Sequence, residues 1–423
     1  MKHKKYLIIG AGITGLNFAR NIQSSDFIII EKESIVGGLC RTHYSGEYVW
    51  DYAGHFFHFS DPSLKSFFKK KLNRDALVEC EKNTKIIYKH DYIDYPFQKN
   101  IHQLSKNEFI ECLYDLYFKN TKDSFEDFED MLYAKFGVSI TEKFLKPYNE
   151  KLYACSLKTL DTDAMGRFFP YADIRDIIKN MKQSVDTSYN NNFEYPKQGA
   201  QVFIEALASD LEKDKILLNA EVVSIDTANK VVKICQNGVF AEISFDYLIN
   251  TMPFNEFARI ADIDTTGHGI SYNQVLVFNI GFDNALEDTS SHWIYFPEKK
   301  YCFYRVGFYN NILSQKNGSL YVELGFDESH VFSDSEIKDY FEKTIEDLRE
   351  CGILKNQQVV DYESIVINPG YVHITEDGKR FVKETMDILE QSNVYSIGRY
   401  GAWTYCSMED SMIQANRLAD LIK

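Results

Sequence analysis

The chain has 423 residues and a net charge of −15; that length holds a large core in two or three domains, and that charge excludes a global field that would draw nucleic acid. Composition is that of a soluble globular protein, 44% hydrophobic and 26% charged, and no apolar run approaches the roughly 18–20 residues that cross a membrane. The 8 cysteines are scattered without C-x-x-C or metal-ligand spacing, and the N-terminus runs through lysines straight into a strand; these predict reduced thiols, a cytoplasmic setting, no metal site and no signal peptide.

"KKYLIIGAGITGLNFARNIQSSDFIIIEKE" predicts strand, turn, helix and strand, with Tyr6–Ile9 as the first strand. Gly10, Gly12 and Gly15 give G-x-G-x-x-G at the helix start. The first permits a tight turn, the second lets a pyrophosphate approach the backbone, and the third lets helix and strand pack closely. The phosphates then sit on the helix N-terminus. Glu31 closes the second strand, 21 residues after Gly10, where an acid binds ribose hydroxyls.

Residues 98–185 carry helical periodicity, and polar "DTSYNNN" (186–192) reads as a linker. "YPKQGAQVFIEALASDLEK" gives a turn and a helix. Strands follow in "KILLNAEVVSIDTANKVVKICQ" and "FDYLINTMP". Residues 270–330 alternate in strand fashion, a helix is expected at 334–351 and a strand near 358–367. "NVYSIGRYGAWTYCSMEDSM" then combines a short strand, a Gly398-Arg399 turn, three aromatic residues and a helix from about Met408.

After Glu31 comes "KESIVGGLCRT", with Gly37-Gly38 followed by Arg41-Thr42. This resembles the flavoprotein superfamily of amine oxidases, protoporphyrinogen oxidases and UDP-galactopyranose mutases. Within it, several stretches resemble the mutases, in order along nearly the whole chain. "WDYAGHFFHFSD" matches their G-x-H-x-F-H segment, placing His55 and His58. "YIDYPFQKNIHQL" resembles their entry to a helical domain. "KPYNEKLYACSLKTLDTDAMGRFFP" resembles their Tyr-x-x-Lys-x-Trp-Gly segment, with Tyr153 in place of the Trp and Arg167 on the functional Arg that follows. "YPKQGA" matches a Pro-x-Gly-Gly turn. "FYRVGF" puts Arg305 on the second functional Arg, "NPGYVHI" offers Tyr371, and "GRYGAWTY" offers Arg399 and Tyr405. The acid of the mutases' Tyr-x-(Asp/Asn) is displaced here to Glu409 or Asp410.

The resemblance implies an α/β fold: a Rossmann-type FAD-binding domain with a helical insertion and a mixed or antiparallel sheet domain. The expected division is 1–90, 193–265 and 376–423 for FAD, 98–192 for a helical lid, and 91–97 with 266–375 for the sheet. It implies an isomerase that interconverts pyranose and furanose forms of a UDP- or dTDP-linked hexose for cell-surface polysaccharide synthesis, reduced flavin N5 attacking the anomeric carbon. NADPH or NADH is the expected reductant, and a homo-oligomer is compatible with this. The catalytic residues implied are Arg167, Arg305, His58 and Tyr405. Tyr153 and Tyr371 join Arg167, Arg305 and Tyr405 in binding substrate. Cofactor contacts are expected at Gly10, Gly12, Gly15, Glu31, Lys32, Gly38, Leu39, His55, Gly398, Arg399 and Met408.

Without the resemblance the same residues read more plainly. Arg167 is an ion-pair residue, His55 and His58 are packed polar groups in an aromatic loop, and Tyr153 is core. Trp403 is packing, and Glu409 and Asp410 favour a helix N-terminus. The competing activity is an FAD-dependent oxidase or dehydrogenase of the amine oxidase or protoporphyrinogen oxidase type. Against it, "GRYGAWTY" lacks the Gly-Ala-x-x-Ser-Gly that amine oxidases usually carry at the flavin edge.

Overall fold

The computed structural model describes residues 2–182 and 192–423. The linker expected at 186–192 lies outside them except for Asn192, which begins a strand (Asn192–Pro196).

The apolar run Tyr6–Ile9 ends the first strand, Lys2–Ile9, and is wholly buried. Such a run suits a parallel strand covered on both faces. It lies parallel to Phe27–Ile30 on one side and to Val239–Asn250 on the other. The parallel step needs a crossover, which the first helix, Ile13–Asn21, supplies. Ala220–Asp226 and Val231–Gln236 extend this sheet antiparallel, and Ile216–Leu217 closes the opposite edge.

The second sheet runs Val359–Ile367, Asn273–Phe282, Ser319–Asp327, Arg305–Phe308, Trp293–Tyr295, Thr84–Tyr88 and Asp91–Asp94. The hairpin 84–94 therefore lies entirely in this sheet, and the division expected at residue 90 falls inside it. Pairing is antiparallel except between Trp293–Tyr295 and Thr84–Tyr88. Asn273–Phe282 is buried at every position, where alternation predicts one solvated face. The cause is cover on both sides: Leu276, Phe278 and Ile280 pack under the helix Asp334–Glu350, while Val275 and Val277 share a core with the helical insertion.

That insertion holds the helices Lys106–Tyr117, Phe128–Ile140, Lys146–Tyr153 and Ile174–Lys182, with one π-helical turn at Thr141–Leu145. Lys151 ties it to the second sheet. Its buried ammonium donates to the carbonyls of Phe296 (2.9 Å), Glu298 (3.1 Å) and Phe303, and burial pushes its pKa down to about 7.

The C-terminal segment returns to the start of the chain. Val394–Ser396 joins the first sheet parallel to Val239–Asn250. The C-terminal helix, Met408–Leu421, packs on the first helix, where the Asn17 amide donates to the Met412 carbonyl (2.9 Å) and to Asn416 Oδ1 (2.7 Å). Tyr6 donates its hydroxyl to the Ile422 carbonyl (2.8 Å).

Candidate functional site

The glycine turn is built for close approach. Gly10 sits at φ +99°, and a Cβ on Gly15 would stand 2.1 Å from the Gly10 carbonyl oxygen, so helix and strand touch through backbone alone. Gly12 and Gly38 oppose one another across a gap that a Cβ on Gly38 would narrow to 3.4 Å. No side chain caps the first helix, and its first amides are left for a ligand. Glu31 is buried and steadies the loop by accepting from the amides of Ala11 (2.7 Å) and Glu33 (3.0 Å). Each carboxylate oxygen retains a lone pair for a ribose hydroxyl. Lys32 beside it is exposed. Arg41 folds back, donating to the Gly38 carbonyl (2.8 Å) and pairing with Glu33 at 3.2 Å.

The C-terminal turn meets this cradle. Gly398 adopts φ +84°, and a Cβ there would lie 2.5 Å from Thr14 Oγ1. Met408, the first residue of the last helix, brings its sulfur 3.4 Å from that of Cys40, next to Leu39. These glycines, Glu31 and the uncapped helix fit a dinucleotide, and Gly398 bounds the Thr14 end of that cradle.

An internal cleft opens beside that end. Arg305, Arg399, Tyr295, Tyr371 and His55 are enclosed by the molecule yet keep accessible surface. Arg399 donates to the Cys406 carbonyl (2.9 Å) and lies 4.6 Å from the Tyr405 ring and 5.4 Å from that of Tyr371. Those two rings stack at 5.9 Å. Among the described residues no carboxylate pairs with Arg399, and its neighbours are aromatic rings. Arg305 holds Glu323 through Nη2, 2.6 Å from both oxygens, and Tyr304 donates to the same carboxylate at 2.6 Å. Burial, the largest single effect, works against the Arg305 charge, but Glu323 together with Tyr371, Tyr321 and Tyr304 outweighs it and keeps the guanidinium charged. Tyr148 and Tyr95 flank Tyr295 at 5.0 and 5.1 Å, completing an aromatic wall.

Ala53 at φ +64° turns the loop so that His55 enters the cleft. Its Nδ1 donates to the Ala53 carbonyl (3.2 Å). Burial, with the charges of Arg399 and Arg305, pushes its pKa down to about 4, so it is neutral near pH 7. His58, expected to be the catalytic one of the two, donates to the Asn192 carbonyl (2.9 Å).

Tyr153, expected to stack on a base, is completely buried under Tyr371 and His373. It offers no open ring face and is core. Arg167 does reach the C-terminal segment. Its guanidinium lies half exposed, 2.6 Å from Asp410, and Phe168 meets the Tyr405 ring at 5.2 Å. A recess of about 380 Å³ beyond Tyr405 is lined by Arg167, Phe168, Asp410, Gln414 and Arg417.

The displaced acids have separate tasks. Asp410 forms a capping box with Ser407 and pairs with Arg167. Glu409 is buried and accepts from the Ser60 amide (2.7 Å), the Ser60 hydroxyl (2.5 Å) and the Asp61 amide (2.7 Å), pinning the loop that carries His55. Glu409→Ala leaves these donors unsatisfied and is expected to cost about 2–4 kcal/mol. A urea midpoint equal to wild type would show that the loop does not depend on it. Trp403 is buried against Phe254 and Tyr272, as the plainer reading has it.

Glu323, Tyr95, Tyr148 and Tyr295 were not singled out from the sequence. A signal existed for Glu323: one acid in the apolar strand "SLYVELGF" and one Arg in "FYRVGF" each need a partner once buried, and the two are register neighbours, Arg305 opposite Glu323.

The comparisons agree with this geometry. The family described as flavin containing amine oxidoreductase matches residues 13–423. Reduced UDP-galactopyranose mutase superposes with a TM-score of 0.90 at 23% identity, covering 99% of this chain and 93% of that one. A protein described as a protoporphyrinogen oxidase from an Exiguobacterium species gives 0.75 at 15% identity, covering 99% and 98%. The corticosteroid-binding protein of Candida albicans is 25% identical over 277 residues, 60% of this chain and 52% of that protein. The chain thus spans about half the length of that curated relative. No described helix is long and apolar enough to cross a membrane.

Proposed function

The chain belongs to the family of flavin-containing amine oxidoreductases, and within that family we propose that it is a nucleotide-sugar mutase, interconverting pyranose and furanose forms of a UDP- or dTDP-linked hexose. The observation that carries this reading is the gathering of Arg305, Arg399 and Arg167 around Tyr371 and Tyr405. A buried guanidinium without a counter-ion is costly, and a diphosphate would complete Arg399's surroundings. The same charges repel a cationic amine, which is why an amine substrate fits this cleft poorly. The likeness to UDP-galactopyranose mutase supports the same choice.

On this reading Arg305 and Arg167 hold the diphosphate. Glu323 engages only Nη2 of Arg305, which leaves Nη1 for a phosphate oxygen. Arg167 exchanges Asp410 for phosphate. Planar guanidinium pairs suit this role because they match two oxygens and stay charged. The tyrosine wall excludes water and orients the sugar. Neutral His55 keeps Nε2 as an acceptor for a sugar hydroxyl. The flavin dinucleotide, held by Gly12, Glu31, Gly38 and Gly398, supplies in reduced form a nucleophilic nitrogen for the anomeric carbon, without net redox change.

The expected result is that dithionite- or NADPH-reduced protein catalyses pyranose–furanose exchange on a panel of UDP- and dTDP-hexopyranoses, while oxidised protein does not. Chromatography of the products reads the exchange. Equal turnover by the oxidised form refutes the reading, and oxygen uptake with amines in its place establishes the oxidase alternative.

A further inference from the structure

Asp51 ends the strand Tyr48–Asp51 and is wholly buried. A carboxylate taken out of water is costly, and burial pushes this one up to about 6, so it is still ionised near pH 7. Donors from segments far apart in the chain hold it. Thr42 donates its hydroxyl at 2.5 Å, Tyr195 donates its hydroxyl, and the Ala200 amide, which opens the helix Gln201–Ala208, reaches both oxygens at 3.1 and 3.0 Å. Gly199, at φ +82°, permits this approach: a Cβ there would collide with Thr42 and stand 2.8 Å from the carboxylate. The Asp51 carbonyl is held as well, by the Tyr309 hydroxyl (3.0 Å) and the Asn279 amide (3.0 Å).

The contacts run on in two directions. Toward the glycine turn, Thr42 Oγ1 accepts from the Gln201 amide (3.0 Å), and the Gln201 side chain donates to the Val36 carbonyl (3.2 Å). The next residue, Gly37, bridges to Gly12 and donates to the Ala11 carbonyl (2.9 Å). Each step from Asp51 to the pyrophosphate cradle is thus a hydrogen bond or a peptide link. Toward the cleft, Asp51 opens the loop that carries His55. The strand Asn192–Pro196 grips both ends of that loop. Tyr195 holds the front through Asp51, and Glu194 holds the back by exchanging backbone bonds with Phe57 (3.3 and 3.0 Å).

We propose that Asp51 is a positioning residue that joins the dinucleotide cradle and the His55 loop into one unit. It acts through Thr42, Gln201 and Tyr195. The role holds for a mutase and an oxidase alike, since either needs the flavin and the cleft in register. An ionised Asp suits it because every partner donates. The amide of an Asn would face the Thr42 hydroxyl on one side or the Tyr195 hydroxyl on the other, and the Ala200 N–H on both.

The test is FAD titration of the deflavinated full-length protein, with hydrogen exchange of the reloaded form. Asp51→Asn should raise the Kd for FAD by about tenfold to a hundredfold, the loss of one or two charge-assisted bonds. Saturated with FAD, its residues 52–57 should exchange faster than those of wild type. Gln201→Leu cuts only the branch toward the turn, so it should raise Kd and leave exchange at 52–57 unchanged. The double variant should bind no more weakly than Asp51→Asn. Leu348→Ala, in the core under the helix Asp334–Glu350, is the control for lost stability. It should melt earlier and keep its Kd within about twofold of wild type. The inference fails if Leu348→Ala weakens FAD as much as Asp51→Asn does, which would make the effect general destabilisation. It fails if Asp51→Asn matches wild type in Kd and in exchange at 52–57, or if the losses of Asp51→Asn and Gln201→Leu add. Should Asp51→Asn not fold, Gln201→Leu decides: an unchanged Kd overturns the inference, and a raised Kd with unchanged loop exchange upholds it. A wild type that takes up no FAD refutes the cradle itself, and this inference with it.

Discussion

Arg305→Ala is expected to destabilise the protein by about 3–5 kcal/mol, because it strands a buried carboxylate. Glu323 is 1% exposed, and its partners are Arg305 and the Tyr304 hydroxyl. Removing the guanidinium leaves one neutral donor. Arg167→Ala behaves differently. That residue is half exposed and its Asp410 partner lies at the surface end of a helix, so stability should change by less than about 1 kcal/mol. On the proposed reading both variants lower turnover by about tenfold to a hundredfold or more, since each loses a charge-assisted contact to the leaving group. Urea denaturation and the exchange rate separate the two effects. The double variant Arg305→Ala/Glu323→Gln should regain most of the stability and none of the turnover. If it regains turnover, Arg305 is a structural residue only. If Arg305→Ala is as stable as wild type, the pair is not the buried one described.

Gly12→Val is expected to yield folded protein without flavin. Gly12 has an ordinary φ of −78°, and a Cβ there meets nothing nearer than the Gly38 Cα at 3.9 Å. The fold therefore has room for the side chain, whereas a pyrophosphate over the helix N-terminus does not. Gly15→Ala is the contrast. Its Cβ would stand 2.1 Å from the Gly10 oxygen and 3.2 Å from Ile8, so it should push the helix off the strand and lose both fold and flavin. Flavin absorbance, circular dichroism and thermal melts with added FAD read the outcome. Wild type gains about 2.7 kcal/mol at a hundredfold excess over Kd, and Gly12→Val should gain nothing. Bound flavin in Gly12→Val would move the pyrophosphate elsewhere.

The dinucleotide cradle was legible in the sequence by itself, because local geometry dictates it. A turn that must pass Gly10 at positive φ and seat Gly15 on backbone admits glycine alone, and its spacing survives any tertiary context. The helical insertion was legible for a related reason: period and length are properties of a single segment. So was the helix from Met408, whose Ser407–Asp410 capping box is local.

What only the tertiary structure decided concerns contacts between distant segments. Which histidine of "GHFFHF" enters the cleft depends on the left-handed Ala53 and on Asn192, 134 residues from His58. That Tyr153 is core rather than a base platform follows from the loop at Tyr371, which covers it. That Glu409 pins Ser60 and Asp410 holds Arg167 could not be read from "SMED", since both acids suit a helix N-terminus equally well. The apolar strand Asn273–Phe282 lost its expected alternation because a helix covers each face, and nothing within the strand announces its neighbours. Burial of Arg305 with Glu323 was half visible, as two lone charges in apolar strands. Their register, set by sheet pairing across 18 residues, made them one ion pair.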